Sequence, residues 1–235
     1  MNSRIVDRIK DDEYFSDIAY DQLETLSSYC YERTYKKGQI LFMEGDPCER
    51  FYYVLDGYVR LQREDVCEMN SFYCYIKKKT FFPYVNLFRK GAYQHTAVAV
   101  TDVTILYISV NQFMNLLKKN NNMLIKIIEH MEDMIDIREK RLQYILQQNA
   151  QMRVVSTIGY LTMQLGEKQQ GHIVIDCPIT ITDIAKISGT SRETASSVMK
   201  RLRNQKIVAI SSDRKIHVLR PDYFHPLSKM EEIVL

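Results

Sequence analysis

The chain has 235 residues, of which 46% are hydrophobic and 26% are charged, the balance of an ordinary globular protein. This composition excludes collagen-like, fibrous and disordered chains. No run of about 18 uncharged apolar residues occurs, and segment 1–15 alternates charged with apolar residues, so we expect neither a transmembrane helix nor a secretory signal. Five widely spaced cysteines without an export signal favour reduced thiols and a cytoplasmic location.

The net charge of +3 is unevenly distributed along the chain. Segment 186–220 holds nine basic and two acidic residues, a net charge of +7, which leaves −4 for the remainder. A basic block of this kind is expected where a protein binds the phosphate backbone of a nucleic acid, although a solvated face carries one as well. The pattern of residues inside the block must decide between the two.

Segment 16–29 predicts a short amphipathic helix, with Ser16 as its capping residue. Between residues 31 and 109, turn residues separate short runs of aromatic and β-branched residues at intervals of roughly 8 to 12. This spacing is typical of an antiparallel sandwich or roll. The predicted strands are 39–42, 51–56, 58–63, 71–77, 97–101 and 103–109.

The hydrophobic period changes after Asn111 from about two to three and a half residues. Two series, each with a seven-residue spacing, continue for about four heptads with no Pro or Gly before Gly159. They have the a and d spacing of a coiled coil, and β-branched residues with one Asn at a favour a two-stranded parallel dimer. The predicted dimer interface consists of Leu124, Ile128, Met131, Ile135, Arg138, Leu142, Ile145, Asn149 and Met152.

One alternative for this segment is a long helix that packs its apolar stripe on its own β domain. Ile127, Met134 and Tyr144 lie off the heptad stripe and are the residues we expect to pack the helix against the roll.

Residues 179–208 carry the pattern of two short helices joined by a tight turn. Thr182 is expected to cap the first helix, Gly189 to form the turn, and Ser191 to cap the second helix, which is the arrangement of a helix-turn-helix unit. Two short apolar runs at 207–219, joined by a basic tip, predict a hairpin suited to contact the DNA backbone as a wing.

The second helix of such a unit enters the major groove with its N-terminal residues against the base edges. There Arg192 can pair bidentately with guanine and Glu193 can accept a hydrogen bond from cytosine. The alternative is two packed helices with Arg192 and Glu193 in a surface pair. The predicted DNA-binding residues are Thr180, Thr182, Thr190, Ser191, Arg192, Glu193, Ser196, Ser197, Lys200, Arg201, Arg214 and Lys215.

The order of a roll, a long helix and a helix-turn-helix resembles the Crp/Fnr superfamily of bacterial transcription regulators over nearly the whole chain. Residues 189–194 (GTSRET) are similar to the start of the family's recognition helix, residues 51–57 to its β-roll signature, and residues 86–88 to its G-L-F segment. The resemblance implies that Arg192 and Glu193 read the inner bases of TGTGA-like half-sites in a palindrome.

The resemblance also implies a fold class, partners and targets. The fold would be α+β: an antiparallel β-roll of the cupin-like, cyclic-nucleotide-binding type (1–115), a dimerisation helix (116–152) and a winged helix-turn-helix (153–235). Double-stranded DNA, a second copy of the chain and RNA polymerase would be the partners, with no membrane. Residues 81–83 and 86–88 are similar to regulators of the arginine deiminase pathway in Gram-positive bacteria, which implies anaerobic or arginine catabolism genes.

Members of the family that bind cyclic nucleotides carry a G-E-L-G-L-F cassette followed by R-S-A. Here Tyr84 stands in place of the ribose-binding Glu, and Gln94 or His95 in place of the phosphate-binding Arg. A buried phosphate without its cation loses about two to four decades of affinity, so we expect no cofactor and weak or no cyclic AMP binding, with a charged His95 at low pH as the alternative. The degenerate effector pocket comprises Tyr84, Val85, Asn86, Gln94, His95 and Thr96.

Other site chemistries find no support in the sequence. The cysteine spacing lacks the run that holds an iron-sulfur cluster, and the five histidines contain no i, i+4 pair, so no metal site is predicted. No phosphate-binding loop, nucleophile elbow or zinc-protease motif occurs, and we predict that the protein is not an enzyme.

These observations favour a cytoplasmic, homodimeric, sequence-specific DNA-binding transcription regulator. One alternative is a cyclic-nucleotide signalling module whose C-terminal helices bind a protein instead of DNA. A second alternative is a redox sensor that acts through Cys67 and Cys74. The sequence leaves open whether an effector exists, whether the protein activates or represses, and which operon it controls.

Overall fold

The computed structural model describes residues 2–16, 18–63, 72–89, 91–147, 149–169 and 171–227. The chain divides into two compact units, one running to residue 63 and resuming at 74–137, the other holding the residues from 138 onward together with those just before 74. The boundary between the two units falls between residues 137 and 138.

Two helices and two antiparallel sheets build the N-terminal half of the fold. Helices α1 (Asn2–Ile9) and α2 (Tyr20–Ser28) come first. The strands that follow are β1 (Tyr31–Tyr35), β2 (Ile40–Phe42), β3 (Arg50–Asp56), β4 (Val59–Arg63), β5 (Phe72–Ile76), β6 (Thr80–Phe82), β7 (Thr96–Ala99) and β8 (Val103–Ser109). They form one sheet in the order β1-β8-β3-β6 and a second in the order β2-β7-β4-β5. The predicted antiparallel roll is confirmed.

Some element boundaries differ from the prediction. The sequence pattern did not indicate α1, β1 or β6, and α2 begins at Tyr20 with Ala19 at its N-cap position, so the expected cap at Ser16 is wrong. Gly57 explains the sharp reversal between β3 and β4. Its φ of +84° is one that residues with a Cβ rarely adopt, and a Cβ there would lie 2.3 Å from the backbone oxygen of Asp102.

Strand β3 is buried on both of its faces. Because successive side chains alternate across a strand, Phe51 and Tyr53 point to one face and Tyr52 and Val54 to the other. All four are buried. Phe51 and Tyr53 belong to a core cluster shared with the helices, whereas the ring of Tyr52 stacks with Phe42 at a centroid distance of 5.4 Å. The sheet that contains β3 therefore lies between helices on one side and aromatic side chains on the other.

Helix α3 (Val110–Leu117) leads into α4 (Asn121–Ile145), and α5 (Ala150–Leu165) follows after a break. Asn149 is the N-cap of α5, where its Oδ1 accepts hydrogen bonds from the backbone N–H of Gln151 at 2.9 Å and of Met152 at 3.3 Å. The predicted helix 116–152 is interrupted twice among the described residues, at 118–120 and at 146, 147 and 149. The side chain of Asn149 caps a new helix instead of occupying a coiled-coil a position.

The second unit builds a helix-turn-helix on a small sheet. Its elements after α5 are β9 (Gly166–Gln169), β10 (His172–Ile175), α6 (Ile181–Ser188), α7 (Arg192–Asn204), β11 (Val208–Ile210), β12 (Ile216–Val218) and a 3₁₀ helix (Pro221–Leu227). The four strands pair in the order β11-β12-β10-β9. The hairpin β11–β12 is the predicted wing, whereas the sequence pattern did not indicate β9. Among the described helices, none is both long and apolar enough to cross a membrane.

Candidate nucleic-acid interface

The first helix of the helix-turn-helix begins two residues earlier than the sequence pattern predicts. Thr180, not Thr182, is its N-cap: the Thr180 Oγ1 accepts from the backbone N–H of Asp183 at 3.1 Å, and Asp183 accepts in return from the Thr180 backbone N–H at 2.9 Å. This reciprocal pair is a capping box. Thr182 lies in the first turn of α6 with its side chain exposed. The expectation that Thr182 caps the helix is wrong, because the carboxylate three residues beyond Thr180 completes the cap.

The turn and the start of the second helix agree with the prediction. Gly189 has a φ of +59° in the left-handed region, which suits a residue without a Cβ at the end of a helix. The hydroxyl of Thr190 lies 2.9 Å from that of Ser188, and the Ser191 Oγ accepts from the backbone N–H of Thr194 at 3.2 Å. Thr190 and Ser191 thus hold the local backbone in shape at the entry to α7.

Helix α7 has one buried face and one exposed face. Ala195, Val198 and Leu202 are almost fully buried, as their helical spacing predicts. The opposite face carries the side chains proposed to meet DNA. They are exposed and recur at i, i+1, i+4, i+5 and i+8: Arg192, Glu193, Ser196, Ser197 and Lys200.

Arg192 and Glu193 present complementary chemistry at the N-terminus of α7. Within the described part of the chain, Arg192 makes no hydrogen bond or salt bridge, so its five N–H donors face solvent. The pKa of Glu193 is held below its ordinary value, first by a hydrogen bond from its own backbone N–H and then by the Ser191 hydroxyl and the charge of Arg192. Glu193 therefore stays ionised at neutral pH and acts as an acceptor only.

Arg201 and Lys215 are predicted DNA-contacting residues that the structure pairs within the protein. The Arg201 Nη1 donates to Gln151 Oε1 of α5 at 2.7 Å. At the wing, Lys215 forms salt bridges of 2.6 Å with Asp176 and 3.3 Å with Asp213. These carboxylates raise the pKa of Lys215 and offset its charge. Arg214, exposed at the tip with a φ of +66°, forms no ion pair with any described residue.

Arg153 supports the interface although the sequence pattern did not single it out. From the first turn of α5, its guanidinium donates to three backbone carbonyls: Gln147 at 2.9 Å, Gly189 at 3.1 Å and Ser188 at 3.2 Å. Two of these carbonyls belong to the turn before α7, and the third belongs to the break between α4 and α5. The Arg153 side chain therefore connects the break between α4 and α5 with the turn of the helix-turn-helix.

The two histidines of the wing sheet also come together. His172 Nε2 lies 3.2 Å from His217 Nδ1, across the pairing of β10 with β12. In sequence they are 45 residues apart, so the prediction of scattered histidines missed this contact. The pairing of β10 with β12, which joins residues distant in sequence, brings the two rings together. No group of three or more His, Cys, Asp or Glu side chains in the described ranges is placed to hold a metal ion.

Aromatic rings pack in the interior of the roll. Tyr93 stacks on Phe42 at a centroid distance of 3.8 Å, and its hydroxyl both accepts from the Arg50 N–H at 3.1 Å and donates to the Arg50 carbonyl at 3.0 Å. Tyr84 is buried in the helix-facing core, with its ring 5.7 Å from Phe51 and 5.2 Å from His130. Tyr84 therefore serves as a core residue.

Among the other residues of the degenerate effector pocket, Asn86 and Thr96 form hydrogen bonds with backbone groups of the roll. The Asn86 amide donates to the Ala92 carbonyl at 2.8 Å, and Thr96 Oγ1 accepts from the Glu44 N–H at 3.1 Å. Val85 and Gln94 are exposed. His95 lies next to Thr96 and is half-buried. None of these six positions lines the cavity of about 410 Å³ in this unit.

The heptad stripe on α4 is exposed along one of its two series. Ile128, Ile135 and Leu142 are 52%, 57% and 62% exposed at seven-residue intervals. Leu124 and Met131 of the other series pack partly against the roll core. These two residues therefore belong both to the packing of the roll core and to the predicted dimer interface. Ile127, one residue before the exposed series, is itself fully buried in that core.

The remaining predicted interface positions are divided between α4 and α5. Arg138 is exposed on α4, and Met152, on α5, is 45% exposed beyond the break. Ile127 and Met134 pack on the roll core, as predicted for residues off the stripe. The side chains of Ile145 and Tyr144 lie outside the described residues. So does Cys67, the predicted partner of Cys74, which is itself buried.

Two family models match the chain, one in each half. The cyclic nucleotide-binding domain matches residues 32–120, and the Crp-like helix-turn-helix domain matches residues 152–225. Among curated proteins, the HTH-type transcriptional regulator ArcR of Staphylococcus aureus (strain Newman) is 24% identical over 208 residues, covering 88% of each chain.

The fold has solved counterparts. FixK2 from Bradyrhizobium japonicum superposes with a TM-score of 0.71 at 19% identity, covering 84% of this chain and 96% of its own. A CooA mutant from Carboxydothermus hydrogenoformans gives a TM-score of 0.67 at 18% identity, covering 86% and 88%. The roll, the long helix and the winged helix-turn-helix therefore occur together in known structures. With both domain models matched in this order and the recognition helix exposed, the chain is a DNA-binding transcription regulator of the Crp/Fnr type.

Proposed function

We propose that the protein acts in the cytoplasm as a homodimer that reads a TGTGA-like palindrome through α7. The observation that carries this proposal is the exposed face of α7, which presents the Arg192 guanidinium beside the ionised carboxylate of Glu193 at the N-terminus of the helix. Arg192 matches the O6 and N7 acceptors of guanine, and Glu193 matches the N4 donor of cytosine. The exposed Lys200, two turns along, is suited to a phosphate.

The exposed series on α4 supports dimerisation. Ile128, Ile135 and Leu142 would leave three large apolar side chains in water at heptad spacing, and a second copy of α4 is the surface that buries such a series. A two-fold axis along paired α4 helices would relate two copies of α7, which would enter successive major grooves about 34 Å apart. RNA polymerase remains a predicted partner.

The regulated genes are proposed from the resemblance to ArcR. The similarity of residues 81–83 and 86–88 to regulators of the arginine deiminase pathway supports genes of anaerobic or arginine catabolism as targets. For the roll, we propose that cyclic AMP is not the effector. Tyr93 and Phe42 occupy the space between the sheets with their own stacked rings, and no cation takes the place of the phosphate-binding arginine.

The test compares the full chain on two duplexes of equal length, a TGTGA palindrome and its scrambled version, across salt concentrations. We expect tighter binding to the palindrome, two chains per duplex, and an affinity that falls steeply as salt rises. An Ile135→Asp variant, which places a charge in the exposed series, should lose the two-chain complex, whereas Ile135→Leu should keep it. Equal, salt-insensitive binding to both duplexes would favour the alternative module that docks a protein.

A further inference from the structure

A cavity of about 410 Å³ lies between α2, α3 and the start of α4 in the first unit. Its volume is within the range of roughly 300–1,000 Å³ found for small-molecule sites. None of the residues predicted to bind DNA, to form the dimer or to line the effector pocket contributes to it. We propose that this cavity binds a small molecule that combines a carboxylate with an apolar body.

The floor of the cavity is apolar. Leu26 of α2 and Met123 of α4 are 5% and 2% exposed, and Ile18 and Leu116 extend the apolar wall. Burial of apolar ligand surface against such a floor contributes about 25 cal/mol per Å² of area removed from water. An apolar chain or ring therefore fits the inner part of the cavity.

The rim of the cavity is polar and carries a positive charge. Lys119 supplies an ammonium group, and Gln22, Gln112 and Asn115 supply amides with N–H donors. Among the described residues that line the cavity, none is an Asp or a Glu. A ligand carboxylate would meet a cation and neutral donors, whereas a ligand ammonium would meet a like charge with no carboxylate to pair with. The rim therefore selects an anion over a cation of the same shape.

The N-terminus of α4 adds to this preference. Asn120 caps the helix, since its Oδ1 accepts from the backbone N–H of Met123 at 3.0 Å. The first turn of α4 contains no acidic residue, so no side-chain charge there offsets the partial positive charge of the helix terminus. The Asn120 amide also donates to Gln22 Oε1 at 3.2 Å, which joins α2 to the cap of α4 across the cavity wall.

The experiment uses the full chain without DNA, so its outcome is separate from that of the proposed DNA binding. Calorimetric titration with octanoate and with octylammonium compares two ligands that share an apolar body and differ in the sign of their charge. We expect one octanoate per chain, binding at least tenfold more tightly than octylammonium. Because a ligand of the folded state stabilises it, octanoate should also raise the midpoint of thermal unfolding.

Three exposed positions provide the variants. Lys119→Met removes the charge but keeps the length of the side chain, and should weaken octanoate about tenfold. Lys118→Met is the matched control on a neighbouring lysine that does not line the cavity, and should leave binding unchanged. Asn115→Asp places a carboxylate of the same shape on the rim, where it offsets the charge of Lys119, and should remove the preference for octanoate over octylammonium.

Thermal unfolding of each variant without ligand checks that it folds. Three results would overturn the proposal: no octanoate binding by the wild-type chain, equal binding of octanoate and octylammonium, or equal octanoate affinities for the wild-type, Lys119→Met and Asn115→Asp proteins.

Discussion

Ser197 lies on the exposed face of α7, five residues after Arg192. Its short hydroxyl cannot make the bidentate contact with guanine that a guanidinium makes, and such a pair is worth about 1–3 kcal/mol of discrimination. We therefore expect the chain to read at least one base pair of each half-site less strictly than a variant with arginine at this position would.

Replacement of Ser197 by Arg should restore that contact. We expect Ser197→Arg to increase, by about fivefold or more, the affinity ratio between the palindrome and a duplex changed at that one base pair, since about 1 kcal/mol corresponds to that factor. Fluorescence anisotropy titrations measure the ratio. Asn204→Arg is the matched control, because it adds the same charge at the far, exposed end of α7. If both variants tighten all duplexes equally, the added contact is electrostatic and the assignment of position 197 fails.

His130 is expected to make the stability of the protein depend on pH. His130 is a residue of α4, and its ring packs between those of Tyr14 and Tyr84, at centroid distances of 5.6 and 5.2 Å. Burial lowers the pKa of His130 below its ordinary value of 6.5, although Asp133 and Glu13 act in the opposite direction. The unfolded chain therefore takes up a proton at a higher pH than the folded chain does.

The sign of the pH effect follows from that difference. The free energy of unfolding should fall as the pH drops below about 6.5, by at most about 1.4 kcal/mol per pH unit, the slope for one proton. In His130→Phe this slope should decrease, because the group that titrates is gone and the ring still packs. Urea denaturation at pH 7.5, 6.5 and 5.5 measures both proteins. Equal slopes would show that His130 does not contribute.

Among the helices and strands, the break between α4 and α5 has the clearest consequence for the position of α7. Asn149 ends the heptad pattern by capping α5, and Arg153 then binds the carbonyl of Gln147 together with those of Ser188 and Gly189. The position of the turn before α7 is thus linked to the conformation of the break. A guanidinium can serve three carbonyls in this way because its five N–H donors are fixed in one plane.

Loss of these three hydrogen bonds should cost both stability and DNA binding. Arg153→Met keeps the aliphatic stem, and we expect the free energy of unfolding of the second unit to fall by about 2 kcal/mol. Arg153→Lys, which can serve fewer of the carbonyls, should be intermediate, and Lys168→Met on exposed β9 should have no effect. Urea denaturation and DNA titration of the same proteins provide the data. A stability unchanged in Arg153→Met would show that the guanidinium contacts are not maintained in solution.

Which elements the sequence predicts depends on whether their signals are local. Strand β8 and the inward residues of α7 follow from period and capping, which involve neighbours along the chain, and both are confirmed. The end of α4 could not be predicted in this way, since an Asn at position 149 suits a coiled-coil a position and a helix N-cap equally well. Strand β1 is exposed at four of its five residues, so it lacks the alternation that reveals a strand.

For the whole molecule, the distribution of charge is the main physical feature. Segment 186–220 carries +7 and contains α7 and the wing, whereas the rest of the chain carries −4. Some of these basic side chains already have partners within the protein. Lys215 pairs with Asp176 and Asp213, and Arg201 donates to Gln151. These pairings join residues that are distant in sequence, so no local pattern indicates them. The cations that remain for DNA are concentrated on α7 and at Arg214.

The measurement that tests the DNA-reading assignment most directly is the affinity of Arg192→Ala for a TGTGA palindrome and for its scrambled duplex at one fixed salt concentration. Arg192 has no hydrogen-bond or salt-bridge partner among the described residues, so its removal should leave the fold intact. We predict that the ratio of the two affinities falls by about fivefold to 150-fold, the equivalent of about 1–3 kcal/mol. A ratio equal to that of the wild-type protein would contradict the assignment of α7 as the helix that reads the DNA sequence.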